Sequence, residues 1–139
     1  MVIALAERSI GLLDTCVVID LGQSARPSPL PDESMVSAIT LAELAYGIPV
    51  APDPLEATRR AQVYARVKAT IAPVPFDAAA ADKYGELVAL VRQTGRSPRP
   101  RRIDLMIGAT AASLGVPLYT RDRDAFAGLE PLVRIIPVV

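Results

Sequence analysis

The chain of 139 residues contains no histidine and only one cysteine, Cys16. The absence of histidine excludes the usual general base of neutral-pH catalysis, Ser-His-Asp and Cys-His sites, and histidine-ligated zinc. A single cysteine excludes an intramolecular disulfide and a thiolate-cluster zinc site. An active site in this chain would therefore depend on carboxylates, whose natural partner is a hard divalent cation.

Lysine, net charge and long apolar segments are also scarce. Lys68 and Lys83 are the only lysines, so nearly all of the 15 positive charges are arginines, and 15 acidic residues balance them. Arginine carries a planar fork of donors that suits phosphate groups. No run approaches the length of a membrane span, and the apolar residues 1–6 lack the basic region of a signal peptide. We therefore expect no membrane association and a cytoplasmic location.

The length and a hydrophobic fraction of 51% predict one domain over residues 1–139, with residues 1–9 as a loose N-terminal extension. Short apolar runs alternate with helical patterns. Strands are expected at 10–14, 35–39, 116–120 and 133–138, with an edge strand or extended link at 73–75. A helix is expected at 40–47, with Thr40 as its N-cap. Further helices are expected from 53 to about 69 and from 77 to about 94, each capped by its first aspartate, and at 103–114, where Gly115 ends the helix. This alternation predicts an α/β fold with a central parallel sheet of short strands.

Four short stretches each carry an acid at the edge of an apolar run. Asp14 ends the first strand, Asp122 follows the strand at 116–120, and Glu43 and Asp104 lie in the first turns of predicted helices. Ligands of parallel α/β sheets gather at the carboxyl ends of the strands, so we expect these acids to converge there. An acid in such a place is unfavourable to desolvate unless a cation meets it. The sequence thus predicts that all four acids surround a divalent metal ion.

Each acid also has a purely structural interpretation when it is taken alone. Asp14 could cap the turn that follows it, and Glu43 could form a capping box with Thr40. Asp104 could complement the dipole of a helix N-terminus, and Asp122 could be a turn residue. These interpretations do not explain why all four acids lie where a parallel sheet collects ligands.

A carboxylate-bound cation indicates hydrolysis of a phosphodiester. Such a cation lowers the pKa of its bound water, which supplies a nucleophile without histidine, and it neutralises charge on a phosphoryl group. Five arginines lie within eleven residues, leading directly to Asp104: Arg92, Arg96, Arg99, Arg101 and Arg102. A basic loop of this kind contacts phosphates without reading sequence, although it could instead be solvated or pair with the acids.

These motifs together resemble the PIN-domain ribonucleases, specifically the VapC-type toxins of bacterial type II toxin–antitoxin pairs. The resemblance covers residues 10–138 and rests on four segments in order: Leu-Leu-Asp14-Thr15, Ser37-Ala-Ile-Thr-Leu-Ala-Glu43-Leu44, Arg102-Ile-Asp104-Leu-Met-Ile-Gly-Ala-Thr-Ala and Leu118-Tyr-Thr120-Arg-Asp122. It implies a three-layer α/β/α PIN-like fold. It also implies endonucleolytic cleavage of RNA that depends on Mg²⁺ or Mn²⁺.

The resemblance also implies roles for individual residues. Asp14, Glu43 and Asp104 match the core acids of the family, with Asp14 and Asp104 as direct metal ligands. Asp122 takes the fourth position; Asp124 is its alternative, because family members often carry asparagine in place of Asp122 and an aspartate shortly after it. Thr120 would orient the site through its hydroxyl. Together with Thr15, Arg101 and Arg102 of the basic loop are expected to contact the substrate, and the prediction for the arginines comes from the loop itself.

The resemblance further implies partners. Proteins of this type usually form homodimers and are inhibited by a cognate VapB-type antitoxin, whose C-terminal segment often inserts basic residues near the acids. A non-enzymatic alternative stays open, in which a PIN-like domain binds RNA or a partner but has lost catalysis. Total RNA that stays intact with metal-supplemented, partner-free protein would favour that alternative.

Overall fold

A computed structural model describes residues 8–22 and 26–139 of the chain. Within these ranges, five short strands form one parallel sheet: β1 (Ile10–Leu13), β2 (Glu33–Ser37), β3 (Ala72–Val74), β4 (Leu118–Thr120) and β5 (Ile135–Pro137). Their order across the sheet is β3-β2-β1-β4-β5. The chain adds strands on one side of β1 and then returns to add β4 and β5 on the other. The winding therefore reverses between β1 and β4, which is the position where open parallel sheets bind ligands.

Helices connect the strands and cover both faces of the sheet. Helix α1 (Thr15–Asp20) joins β1 to β2, and α2 (Ala38–Gly47) and α3 (Pro54–Thr70) lie between β2 and β3. Helices α4 (Ala78–Gln93) and α5 (Arg102–Leu114) lie between β3 and β4. Short 3-10 helices at Arg99–Arg101 and Asp124–Phe126 precede α5 and follow β4, respectively. No helix within the described ranges is both long and apolar enough to cross a membrane.

Alternation along β1 divides the core into two halves. Leu12 packs with side chains of α4 and α5, including Leu87, Val91 and Leu105. Leu13 faces the other way and packs with side chains of α1 and α3, including Val17, Val18 and Val67. Successive side chains of a strand point to opposite faces, so each face buries its own helical layer. This arrangement confirms the predicted α/β/α fold with a central parallel sheet.

Strand β2 ends earlier than predicted, and α2 begins earlier. The pairing with β3 stops at Ser37, because β3 is short and its last residue, Val74, pairs with Ser37. The hydroxyl of Ser37 then accepts a hydrogen bond from the backbone N of Ile39 at 3.0 Å and caps α2. The prediction of Thr40 as N-cap is therefore wrong. So is the placement of Glu43 in a first helical turn, because Glu43 lies in the second turn of α2.

The predicted helix starts at 53 and 77 are confirmed, and the helix predicted from 103 begins one residue earlier, at Arg102. Asp53 caps α3 by accepting a hydrogen bond from the backbone N of Glu56 at 2.8 Å, and Asp77 caps α4 in the same way. The expected extension at 1–9 falls mostly outside the described residues. The structure describes its last two residues, 8 and 9, and Ser9 donates its backbone N–H to Asp32 Oδ2 at 2.8 Å.

Candidate active site

Asp14 directly follows β1 at the point where the winding reverses, and it is buried. Its Oδ1 accepts a hydrogen bond from the backbone N of Thr15 at 2.9 Å, so Asp14 does cap α1 as its structural interpretation expects. Its Oδ2 accepts a second hydrogen bond from the hydroxyl of Thr120 at 2.7 Å. Burial raises the pKa of Asp14, and the bonds from Thr120 and Thr15 partly offset that rise. Desolvation of this kind makes a nearby cation favourable.

Glu43 extends from α2 toward the start of α1. Its Oε1 accepts a hydrogen bond from the Thr15 hydroxyl at 2.6 Å. Thr15 therefore contacts Asp14 through its backbone N–H and Glu43 through its side chain. The capping-box interpretation of Glu43 fails, because Thr40 is not the cap and lies buried inside the helix. The structure instead brings Glu43 to the carboxyl edge of the sheet, near Asp14 and Asp104. We call this region the acidic edge.

Asp104 lies in the first turn of α5, as predicted, and is half-buried. Burial raises its pKa to about 6, together with the negative charges of Asp14, Glu43 and Asp122, while Arg101 lowers it in part. Acids from three other parts of the chain thus act on one carboxyl group. The four acids predicted from sequence are therefore near enough for Asp14, Glu43 and Asp122 to affect the carboxyl group of Asp104 by charge.

Asp122 is exposed just after β4, and it has two roles. Its Oδ1 accepts a hydrogen bond from the backbone N of Ala125 at 3.1 Å, which fits the turn interpretation. Its charge also raises the pKa of both Asp14 and Asp104. Asp124 is exposed, and its charge does not raise the pKa of either acid. The electrostatics therefore favour Asp122 over Asp124 as the fourth acid.

The basic loop lies beside the acids. Arg101 is close enough for its charge to lower the pKa of Asp104, but its guanidinium also donates to the backbone carbonyl of Asp124 at 3.1 Å. Arg96 donates to the same carbonyl at 3.2 Å. Arg102 is exposed at the head of α5. Arg101 thus also anchors its loop, whereas Arg102 is exposed to solvent.

Two side chains at this edge were not predicted as site residues. Thr40 Oγ1 lies 3.0 Å from Thr15 Oγ1. The only signal for it in the sequence is its spacing of three residues from Glu43, which puts both on one helix face. Cys16 Sγ lies 3.6 Å from Asp14 Oδ2 and 3.8 Å from Thr120 Oγ1, and its half-buried thiol fills space next to the acid.

The donor set of this edge consists of carboxylates and hydroxyls, the hard oxygen ligands that suit Mg²⁺ or Mn²⁺. Over residues 8–22 and 26–139, no group of three or more Asp, Glu or Cys side chains is placed to hold an ion directly. Mg²⁺ usually keeps several waters and is bound by one or two carboxylates. Burial raises the pKa of Asp104, and the nearby acids raise it further, so a cation beside this carboxyl group would favour its ionised form. In chemistry and charge, the residues fit a hard divalent cation.

Comparison with known proteins defines the class. Residues 11–130 match the PIN domain family, and the chain belongs to this family. Within the family it is of the VapC ribonuclease type. It is 36% identical over 124 residues to ribonuclease VapC5 of Mycobacterium tuberculosis. The alignment covers 86% of this chain and 87% of that protein. The chain is 32% identical over 105 residues to ribonuclease VapC8 of the same species, covering 76% and 93%, respectively.

Solved structures agree with this assignment. A crystal structure of VapBC-5 from Mycobacterium tuberculosis, a member of the VapBC family of toxin–antitoxin systems, superposes with a TM-score of 0.79 and 32% sequence identity. The match covers 93% of this chain and 98% of that one. The crystal structure of FitAcB from Neisseria gonorrhoeae has the same fold, with a TM-score of 0.69, 23% identity, and coverage of 91% and 96%.

Proposed function

We propose that this protein is a metal-dependent endoribonuclease and the toxin of a toxin–antitoxin pair, with Mg²⁺ as its cofactor and Mn²⁺ as the alternative. One observation carries the proposal: Asp14, Glu43 and Asp122 lie near enough to Asp104 for their charges to raise the pKa of its carboxyl group. The names of the VapC ribonucleases support RNA as the substrate. The proposal includes a homodimer in the cytoplasm, and sedimentation of the purified protein tests the dimer.

Asp14 and Asp104 would hold the ion, with Glu43 and Asp122 facing its hydration shell. When bound, the ion supplies a water of lowered pKa and stabilises negative charge on the phosphoryl group. Thr120 orients Asp14 and favours its ionised form through the hydrogen bond to Oδ2. Glu43 Oε1 accepts a bond from the Thr15 hydroxyl, which leaves Oε2 to take a proton from the attacking water. The water oxygen bonds to phosphorus and the P–O bond to the leaving oxygen breaks. The leaving oxygen takes up a proton from solvent, and Glu43 releases its proton to solvent.

Mapping of RNA ends tests this function. Partner-free protein is incubated with total cellular RNA and Mg²⁺ or Mn²⁺, alongside the Asp104→Asn variant and a chelator-treated sample. New ends at discrete positions are expected for the wild type alone. RNA left intact by the wild type with either ion would contradict the proposal and support a PIN-like domain that binds RNA without cutting it.

Arg102 is proposed to bind an RNA phosphate, and its exposure makes it a cleaner target than Arg101. In an Asp14→Asn background that prevents cleavage, Arg102→Ala should weaken RNA binding. It should also reduce the slope of log K against log salt by about 0.7, the value for one phosphate contact on a single strand. Fluorescence anisotropy at several salt concentrations measures this. Arg134→Ala, exposed just before β5 at the opposite edge of the sheet, is the matched control. Equal salt slopes for the two variants would show that Arg102 does not bind the phosphate backbone of the RNA.

A cavity of about 570 Å³ lies between α1, α2 and α3, directly beside Thr15 and Glu43. Its lining includes the apolar side chains of Ile19, Leu44 and Val63, and its charged residues, besides Glu43, are Glu56, Arg59, Arg60 and Arg66. An amphipathic peptide segment suits such a groove. We propose that the C-terminal segment of the antitoxin binds here, because a segment in this cavity would reach the acids. The toxin–antitoxin title of the VapBC-5 structure supports such a partner.

Ile19 provides a test of this docking site. Ile19→Glu places a charge in the apolar part of the cavity and is expected to weaken binding of the cognate antitoxin by about tenfold or more. Cleavage of RNA by the free toxin should change by less than about twofold, because Ile19 is not one of the proposed catalytic residues. Ile10→Glu is the matched control, since Ile10 and Ile19 are both 42% exposed and Ile10 lies outside the cavity. Calorimetry with purified antitoxin measures both variants, and equal affinities would contradict the docking site.

A further inference from the structure

Three side chains form a chain of hydrogen bonds on the α2 side of the acidic edge. Thr15 Oγ1 lies 2.6 Å from Glu43 Oε1 and 3.0 Å from Thr40 Oγ1. Thr40 is fully buried and lies three residues before Glu43, on the same face of α2. Thr15 also donates its backbone N–H to Asp14 Oδ1. One residue at the start of α1 therefore contacts two of the acids, and Thr40 contacts that residue.

The direction of these bonds follows from the number of protons. A threonine hydroxyl donates one proton and accepts through its lone pairs, whereas an ionised glutamate only accepts. The short contact to Glu43 therefore uses the proton of Thr15. The Thr15 oxygen must then accept the proton of Thr40. A hydroxyl that accepts a hydrogen bond is polarised and donates more strongly, so Thr40 strengthens the bond from Thr15 to Glu43.

Other helical threonines of this chain use their hydroxyls differently. Thr58, Thr70 and Thr110 each donate to the backbone carbonyl four residues earlier, at 2.9, 2.7 and 2.9 Å, respectively. Thr110 Oγ1 also lies 3.3 Å from Ser37 Oγ. The local bond to the carbonyl is the usual alternative for threonine inside a helix. The hydroxyl of Thr40 instead bridges to α1, and its proton is the one left to donate there. The buried hydroxyl of Thr40 thus links two helices that both supply the acidic edge.

We propose that Thr40 is a positioning residue, which fixes the Thr15 hydroxyl and through it holds Glu43 in a set orientation relative to Asp14. This inference rests on the proposed ribonuclease function. Thr40 acts through Thr15 and does not touch the substrate. Valine in its place keeps the shape of the side chain but frees the Thr15 hydroxyl to rotate. Glu43 then samples orientations that do not favour proton transfer from water.

The first test compares turnover. Thr40→Val is expected to lower kcat for RNA cleavage by about 10–100-fold and to leave KM within about twofold, the usual size of effect for a residue that orients a ligand. Thr40→Ser retains the hydroxyl and should recover most of the activity. Thr70→Val removes a helical hydroxyl that donates within its own helix, α3, and should leave kcat within about twofold. A wild-type kcat in Thr40→Val, or a serine variant as impaired as the valine variant, would overturn the inference.

A double-mutant cycle shows whether Thr40 acts through Thr15. The Thr15→Val and Thr40→Val double variant should lose no more kcat than Thr15→Val alone, whereas independent losses would overturn the inference. The same cycle on the urea midpoint of the metal-free protein needs no activity. There, the shift caused by Thr40→Val should shrink when residue 15 is valine, and additive shifts would contradict the chain of bonds. If the wild type cleaves no RNA, the proposed function fails, and this stability cycle still decides on the hydrogen bonds.

Discussion

Replacing Asp14 with asparagine is expected to reduce RNA cleavage by on the order of 10³-fold or more, without unfolding the protein. Asparagine keeps the shape of the side chain and an oxygen that can accept the Thr15 N–H, so the cap of α1 survives. It removes a negative charge from a buried position where burial already raises the pKa of the acid. The loss of activity therefore reflects the loss of a metal-binding charge, with the fold retained.

The measurement is single-turnover cleavage of a defined RNA at saturating Mn²⁺, combined with urea unfolding of the metal-free protein. Asp82→Asn provides the control, because Asp82 is exposed on α4 and lies outside the acidic edge. Its activity should equal that of the wild type. Cleavage by Asp14→Asn within about tenfold of the wild type would contradict the role of Asp14. A strongly lowered unfolding midpoint would show that the charge of Asp14 supports the fold.

The position of the acids could be predicted because it depends on the order of secondary structure. Parallel strands place their carboxyl ends along one edge, so an acid after β1 and another after β4 must lie near each other once the strands are adjacent. The strong cap at Asp53 and the stop at Gly115, where φ is +67°, likewise depend on local signals. Such features need no knowledge of distant contacts.

The start of α2 was not predicted correctly, because the local capping-box pattern favours Thr40 whereas Ser37 caps the helix. Ser37 and Thr40 are both favourable caps. The choice depends on where the pairing of β2 with β3 ends, which is a contact between residues far apart in sequence. The anchoring contact of Arg101 also depends on residues far apart in sequence, and it could not be predicted either. The bond from Arg101 to the carbonyl of Asp124 arises only when the loop before α5 folds against the segment after β4.

Asp104→Asn is expected to abolish cleavage and, in metal-free protein, to increase stability at neutral pH. The pKa of Asp104 is raised from 3.8 to about 6 in the folded state. Between these values the folded protein retains a proton that the unfolded chain releases, so the free energy of unfolding falls as pH rises through this window. Above this pH window, the full loss of stability caused by ionising Asp104 in the folded protein is present. Because the group is half-exposed and screened by solvent, the gain from asparagine at pH 7.5 should be roughly 1–2 kcal/mol.

Urea unfolding between pH 4 and pH 7.5 measures this effect, with Asp82→Asn again as control. The difference between wild type and Asp104→Asn should be small at pH 4 and grow toward pH 7.5. Saturating Mn²⁺ should then stabilise the wild type more than the variant, because a ligand that binds the folded state raises its stability by mass action. Two results would contradict the raised pKa of Asp104. One is a difference in stability that stays constant across the pH range, and the other is a variant less stable than wild type at pH 7.5 without metal. A variant that is more stable and yet inactive would show that the chain retains Asp104 for its charge at the site rather than for its contribution to the fold.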